Sequence, residues 1–561
     1  MDQTEPVNPT PKSIYPNQKY PIDGQVFKTL IESSLTWLRT NQQVVNVLNV
    51  FPVPDGDTGT NMVLTMQAAC DEISNSPERN IGKLTRMVAH GALMGARGNS
   101  GVILSQLWRG FARALDNFET LDGQLLVNAL HQGRNTAYKG VVRPVEGTIL
   151  TVAKDITAEA ENALPETQDP YDILERVVTA ADISVQKTPE LLAVLKEAGV
   201  VDAGGKGLFF ILEGMSRYIK GLPLDVALVA VLPLSSMKLE NTLENIEPGQ
   251  DFEVVVDFHP KAELNIIQFY EDLQRIGTSI QLGEGDGIYR MHIHVPAGSE
   301  YEPIEYTKSL GTVTKAAIEN LRAQMEDVEH EGMSALQFTP VEPGQIATIA
   351  VAPGPGIARV FASLGVSAIV EGGQSMNPST QEILDALENL PTDQVIILPN
   401  NKNIILAAQS AAQLTVKHVT VIPSRSVPQG MAAMMRLIAT GDIEEVAADM
   451  NAAMNDVETG EITTATRSVE IDGVNVTEGQ IICLLNGKLV LASNDLKQAT
   501  LGLLKKAHAD HFELITLFYG SDISRMEVDA IADAIRKKFP QQELEVQDGG
   551  QPHYQFIISI E

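Results

Sequence analysis

Asn49-Val50-Phe51-Pro52-Val53-Pro54-Asp55-Gly56-Asp57-Thr58-Gly59-Thr60-Asn61-Met62 sets two carboxylates one residue apart, between two prolines and a glycine-threonine turn. Mg²⁺ takes oxygen ligands in near-octahedral geometry, commonly one or two protein carboxylates with phosphate and water. Asp55 and Asp57 are candidate ligands of such an ion, and candidate catalytic groups for the same reason. Gly56 lets the chain turn so that both can reach one cation, and Pro52 and Pro54 stiffen the approach by fixing φ. Asn49 offers a neutral oxygen as a further candidate ligand. Taken alone, Asp-Gly-Asp also reads as an acidic surface turn, because Asp, Gly and Thr are common turn residues. The residues that follow favour the ion. Met62, Val63, Met66, Ala69, Cys70 and Ile73 recur at helical spacing, so the loop runs into a helix capped by Thr60 or Asn61. The free N–H groups and partial positive charge of a helix start suit a phosphate.

The layout recurs twice. Gly95-Ala96-Arg97-Gly98-Asn99-Ser100-Gly101 precedes an amphipathic run through Ile103, Leu104, Leu107, Trp108 and Phe111. Val201-Asp202-Ala203-Gly204-Gly205-Lys206-Gly207 precedes Leu208, Phe209, Ile211, Leu212 and Met215. If the three helix starts converge, they form a nucleotide site with carboxylates for metal and small residues for close backbone approach. Arg97, Arg143 and Lys206 are cations that can steady phosphate charge, or simply be solvated. Neither glycine cluster matches a Walker A loop or a Rossmann fingerprint, so a kinase here is of another build.

The Asn49–Met62 run, Gly95–Gln106, Arg143–Val152 and Val201–Gly207 together resemble the nucleotide-binding domain of the dihydroxyacetone kinase superfamily. Over its whole length the chain resembles the ATP-binding subunits of bacterial fatty acid kinase, including Gly372–Thr380 and Leu398–Asn403. This resemblance implies an all-α helical barrel with Mg²⁺ and ATP at one end. It implies Thr60, Asn61, Ser100 and Gly101 on the phosphates, and Asp202, Ala203 and Gly204 along the nucleotide. Asn49 lies near the place of a third metal carboxylate in the superfamily, and an amide there lowers the negative charge of the site.

Across 561 residues, about 100 to 200 per domain suggests three or four units. We divide them as a flexible arm over 1–20, a nucleotide-binding kinase domain over 21–225, a small central α/β domain over 226–340 and a C-terminal α/β domain over 341–561. The net charge of −31 argues against binding nucleic acid or anionic lipid, which require basic patches. Cys70 and Cys483 fall in different units, so no disulfide framework is implied. Without a signal-like start or an apolar run of membrane-spanning length, a cytoplasmic location is expected, with no integral membrane segment.

From Gln25 to about Leu222 the period is helical throughout. In the central unit, Phe252–Phe258 and Ile288–Val295 read as strands, and 260–275 and 302–326 as helices. His292 and His294 share one strand face, where paired imidazoles can hold zinc. Related chains often carry Cys where this one has Val255, and a structural zinc site usually needs four ligands, so the alternative is two histidines on a polar sheet face. Beyond Pro343, strands at Ile346–Val351, Val395–Leu398, Val419–Ile422, Leu514–Phe518 and the last eleven residues alternate with helices, predicting a largely parallel sheet. By resemblance this region is akin to the DegV-type fatty-acid-binding fold. Its polar loops, with Ser375 and Asn377, read as structural turns or contact surface, and an interaction role ranks ahead of ligand binding.

These readings predict transfer of phosphate from ATP to a fatty acid carboxylate, giving an acyl phosphate. No long apolar tunnel is legible in the first unit, and the resemblance implies that a separate fatty-acid-binding carrier protein presents the acyl chain, with a homodimer expected. Two alternatives stay open: a dihydroxyacetone-type or other small-metabolite kinase, and a nonenzymatic nucleotide-sensing scaffold.

Overall fold

The computed structural model describes residues 22–50, 56–141, 143–224, 232–233, 252–262, 264–273, 275–285, 288–320, 336, 338, 340–374, 376–465, 469–471 and 473–561. The expected N-terminal arm, Asp55 and Ser375 lie outside these residues.

The first unit is helical throughout: α1 (Gly24–Thr40), α2 (Gln42–Leu48), α3 (Thr58–Ile73), α4 (Ile81–Met94), α5 (Gly98–Ala114), α6 (Gly123–Gly140), α7 (Ile149–Ala163), α8 (Pro170–Leu191), α9 (Ala193–Ala198) and α10 (Ala203–Lys220). Short polar side chains start many of them by accepting the N–H groups that a helix leaves unpaired: Asp23 for α1, Asn80 for α4, Asp122 for α6, Thr148 for α7 and Asp169 for α8. Neighbours pack in the order α1, α3, α4, α5, α6, α7, α8, α10 and back to α1, which closes a ring. Trp37, Met62, Met66, Ile31 and Phe210 are buried between the helices. The ring also encloses an apolar hollow lined by Phe27, Leu104, Trp108, Phe111, Leu208 and Met215. Its lining comes from several helices, so no single run of sequence reveals it.

The central unit is a sheet in the order β1 (Leu232–Pro233), β3 (Thr278–Gly285), β4 (Ile288–Val295), β2 (Phe252–Pro260) and β5 (Gly311–Asn320). Helices cover Ile266–Leu273 and Glu302–Leu310. The helix expected over 302–326 therefore stops at Leu310, and the chain continues as β5, antiparallel to β2. Gly311 is fully extended, and the β-branched Thr312-Val313-Thr314 suits a pleated strand better than a helix. Residues 321–326 are outside the described set.

The C-terminal unit holds two larger sheets and a two-stranded antiparallel ribbon of β11 (Val469–Ile471) with β12 (Val474–Val476). The first is all-parallel, β7 (Ala368–Glu371), β6 (Ile346–Ala352), β8 (Gln394–Leu398), β9 (His418–Val421), and β6 is buried along its whole length, as a sheet covered on both faces requires. The second is mixed: β14 (Lys488–Ser493), β13 (Ile481–Leu485), β10 (Glu458–Thr464), β17 (Tyr554–Ile560), β15 (Leu514–Tyr519) and β16 (Glu543–Asp548), with only β15 and β16 parallel. The prediction of a largely parallel sheet thus holds for the first sheet and fails for the second. The Asn486-Gly487 turn joins β13 to β14 as a hairpin, and both residues have positive φ.

Candidate active site

Helix α3 begins at Thr58 with Asp57 in the N-cap position, earlier than the expected cap at Thr60 or Asn61. The Asp57 side chain does not cap the helix. Its carboxylate is held by amide groups: Asn61 Nδ2 donates to Oδ2 at 2.8 Å, Asn377 Nδ2 to Oδ2 at 2.6 Å, and Asn49 Nδ2 to Oδ1 at 3.3 Å. Asp57 is 8 % exposed. Neutral donors of this kind fix the direction of a carboxylate while leaving its charge in place. Gly56, just before it, has φ +70°, as the tight approach requires.

The three expected helix starts do meet. The Cβ position of Gly98 lies 2.6 Å from Asn61 Nδ2, and that of Gly101 3.4 Å from the Asn61 carbonyl, so the first turn of α5 sits on the first turn of α3. Gly98 also has φ +58°. At the other side, Gly207 packs against Met62 and Gly204 against Ile149, which brings the starts of α10 and α7 to the same end of the ring. Ser100 falls in the first turn of α5, and Ala203 and Gly204 in that of α10. Thr60 is gripped by α2: its Oγ1 accepts from Gln42 Nε2 at 3.0 Å and Asn46 Nδ2 at 3.1 Å, and its N–H donates to Asn46 Oδ1.

Asp202 ties two helix starts together at this end. It caps α10 by accepting the Gly205 N–H at 2.7 Å and also accepts from the Ile149 backbone at the start of α7. Burial pushes its carboxyl up to about 6, with the two N–H bonds pulling the other way. The folded-state value lies above the unfolded one, so the native chain holds the extra proton between them. Stability from this group is therefore full below about pH 4 and falls by roughly 3 kcal/mol as pH rises through 6. Asp202→Asn keeps an acceptor for the cap and removes the titration. The unfolding midpoint of the wild type, relative to Asp202→Asn, is expected to rise between pH 7.5 and pH 5; parallel pH profiles would refute the assignment.

Two of the three candidate cations are engaged by groups of the protein. Arg97 spends its guanidinium on the C-terminal unit, with Nη1 on the Asn377 carbonyl at 3.0 Å and Nη2 on Glu382 at 3.2 Å. Lys206 lies over the Phe209 ring at 4.1 Å and 3.5 Å from Asp182. Arg143 is exposed.

An oxygen-only set of Asp57 with neighbouring amides suits a hard cation, and Asn377 Oδ1 is buried without a hydrogen-bond partner among the described residues. These residues fit Mg²⁺. The central histidines do not make a comparable case. Their rings are 5.0 Å apart and both are buried, on a sheet face shared with Glu253, Asp257 and Arg290, the polar face read as the alternative to zinc. Glu253 Oε1 comes within 3.1 Å of His292 Nδ1 but out of line for a hydrogen bond. Desolvation, with His292 beside it, pushes His294 down to about 4. Among the described residues no group of three or more His, Cys, Asp or Glu could hold a metal ion.

The loop with Asn377, read from sequence as a turn or contact surface, is in contact, and the surface it meets is this end of the helical unit, which sequence reasoning did not find. The Gly372–Thr380 and Leu398–Asn403 motifs both reach the start of α5: Thr380 N–H donates to the Ala96 carbonyl at 3.2 Å, and Asn99 Nδ2 donates to Asn403 Oδ1 at 3.1 Å. Ala96 and Val102 are packed into the same apolar cluster as Ala347, Ile349 and Leu384. The available signal was the high polarity of two motifs bounded by buried strands.

Three family models match in order along the chain. They are the DAK2 domain over residues 52–217, the FakA-like middle domain of fatty acid kinases over 247–328, and the FakA-like C-terminal domain of the same kinases over 347–561. An uncharacterized protein of Staphylococcus aureus strain MRSA252 is 37 % identical over 550 residues, covering 96 % of this chain and 99 % of that protein. Another from strain USA300 is 36 % identical over 549 residues with the same coverage. Among solved structures, a DegV family protein from Corynebacterium glutamicum aligns with 39 % of this chain and 97 % of its own at 17 % identity and a TM-score of 0.30. The dihydroxyacetone kinase from C. freundii, solved with AMP-PNP and Mg²⁺, aligns with 39 % of this chain and 38 % of its own at 17 % identity and a TM-score of 0.28. No helix among the described residues is long and apolar enough to cross a membrane.

Proposed function

Because the chain belongs to the FakA-like family of fatty acid kinase proteins, we propose that it is the ATP-binding catalytic subunit of a kinase that phosphorylates the carboxylate of a fatty acid. A separate fatty-acid-binding carrier presents the acyl chain. The observation that carries this reading is the meeting of the α3, α5 and α10 starts around the pinned carboxylate of Asp57.

In this mechanism Asp55 and Asp57 would hold Mg²⁺, which would supply positive charge to offset that of the ATP phosphates. Asn61, Ser100 and Gly101 would lie against the phosphate oxygens at the first turns of α3 and α5, where the N–H groups of Asn61 and Gly101 are already spent on the Asp57 and Arg97 carbonyls, and the small residues Ala203 and Gly204 would let the nucleotide lie close to the α10 backbone. An oxygen of the fatty acid carboxylate forms a bond to the γ-phosphorus as the bond from that phosphorus to the ADP oxygen breaks, and the products are acyl phosphate and ADP. Such a transfer depends on positioning and on preorganised charge rather than on a covalent enzyme intermediate. The carrier and a homodimer are expected from family likeness.

ATP consumption by the full chain tests the reading. Turnover is expected with a carrier loaded with oleate or palmitate and not with glycerol or dihydroxyacetone. Phosphorylation of a polyol, with no response to loaded carrier, would make this a small-metabolite kinase. ATP binding with no turnover on any acceptor would make it a nucleotide sensor.

A further inference from the structure

Asn377 stands 320 residues beyond Asp57 in the chain, on the loop that precedes the helix Thr380–Glu388 of the C-terminal unit, yet its Nδ2 makes the shortest of the three amide bonds to the Asp57 carboxylate. The residue is 2 % exposed. Its position is set from both sides. Arg97 donates to its carbonyl, and two residues on a capping box formed by Ser379 and Glu382 opens the helix whose first N–H groups include the Thr380–Ala96 bond. Its Oδ1 is buried and without a hydrogen-bond partner among the described residues.

A bare acceptor in the interior is unfavourable unless something at the site satisfies it, and most buried side-chain oxygens are satisfied. If Asn377 served only to glue two units together, both ends of its amide would be expected to find partners across the interface. Instead one end orients the carboxylate, and the oxygen at the other end is buried with no protein partner among the described residues. Partners that orient a metal ligand are a recurrent part of metal sites and typically matter about 10–100-fold for affinity.

We propose that Asn377 is a positioning residue of the kinase centre, so that the C-terminal unit completes the metal site of the helical unit. Asn61 holds Asp57 Oδ2 from within α3 and Asn377 holds it from the docked unit, while Asn377 Oδ1 gives the cation or its water an acceptor. The inference rests on the phosphoryl-transfer reading above and deepens it: the helical ring by itself is an incomplete enzyme.

The test uses the full-length chain with ATP and reads Mn²⁺ binding directly by electron paramagnetic resonance, so that it does not depend on turnover or on the acceptor. Asn377→Ala is expected to weaken Mn²⁺ binding about tenfold or more. Asn403→Ala, which cuts the Asn99 contact at the same interface without touching Asp57, is expected to change it less than about twofold. Asn377→Leu, similar in size and lacking both polar ends, repeats the measurement should the alanine variant unfold. Unchanged Mn²⁺ affinity in the Asn377 variants overturns the proposal, and so does an equal loss in Asn403→Ala, which would reduce Asn377 to a docking contact. Absence of ATP-dependent Mn²⁺ binding in the wild type overturns the phosphoryl-transfer reading itself, and this inference with it.

Discussion

Replacing Asp57 by asparagine is expected to lower ATP turnover by about 10³-fold or more, equivalent to roughly 4 kcal/mol of transition-state stabilisation. The substitution keeps the size of the side chain and removes its charge, which is what a divalent cation and the γ-phosphate require. It also turns an NH₂ group toward donors. Asn49, Asn61 and Asn377 all point Nδ2 at this residue, and an amide can answer only some of them with its single oxygen. The mismatch costs about 1–3 kcal/mol locally, so the variant should melt earlier as well as turn over slowly. Measuring turnover against Mg²⁺ concentration, with circular dichroism to establish that the helical unit persists, separates the two effects. A folded Asp57→Asn protein with turnover within tenfold of the wild type would remove Asp57 from the mechanism.

Gly356→Ala is expected to destabilise the C-terminal unit by about 3 kcal/mol or more, in the upper range for overpacking. Gly356 lies in the first turn of the helix Pro355–Ser363, and its N–H donates to the Gly549 carbonyl at 3.1 Å. A Cβ there would run into the Asp548 carbonyl oxygen and lie 2.6 Å from the Asp548 carbonyl carbon, both backbone atoms at the end of β16. No rotamer change relieves a clash with backbone, so either the helix start or the β16–β17 connection must move. Because the protein has several units, a single unfolding free energy is not defined for it, and the check is the transition assigned to the C-terminal unit in calorimetry. A midpoint unchanged by the substitution would show that this junction gives way freely.

The helical unit was legible in the sequence because its elements are long, amphipathic and begin with recognisable caps, so period and punctuation agree. The central unit was harder. Glu302–Leu310 carries a helical pattern, and nothing but Gly311 and the β-branched Thr312-Val313-Thr314 announces that the chain goes on to pair with β2. Of the second C-terminal sheet, β15 and β17 were legible as apolar runs, but β10 contains Thr, Gly and Glu, and β16 alternates Glu with apolar residues at a solvent-facing edge, so neither looks like a buried strand. At the site, local motifs marked Asp57, Asn61 and the α5 and α10 starts. Their exact duties were less visible, because they depend on partners in other elements: Thr60 is held by α2, Asp202 spans α10 and α7, and Arg97 faces the C-terminal unit. Asn377 reads from sequence as part of a turn or contact surface, but no period or spacing relates it to Asp57.

The apolar cluster that joins Ala96 and Val102 to residues of β6, β8 and the helices Thr380–Glu388 and Ile405–Leu414 also sets an order of events during synthesis. Chains emerge N-terminus first, and units fold as they are completed. The helical ring can close as soon as α10 is made, but the patch on α5 stays wet until the strands and helices that cover it have left the ribosome. A nascent chain therefore carries a folded ring whose apolar patch at the start of α5 stays uncovered until the last domain has docked.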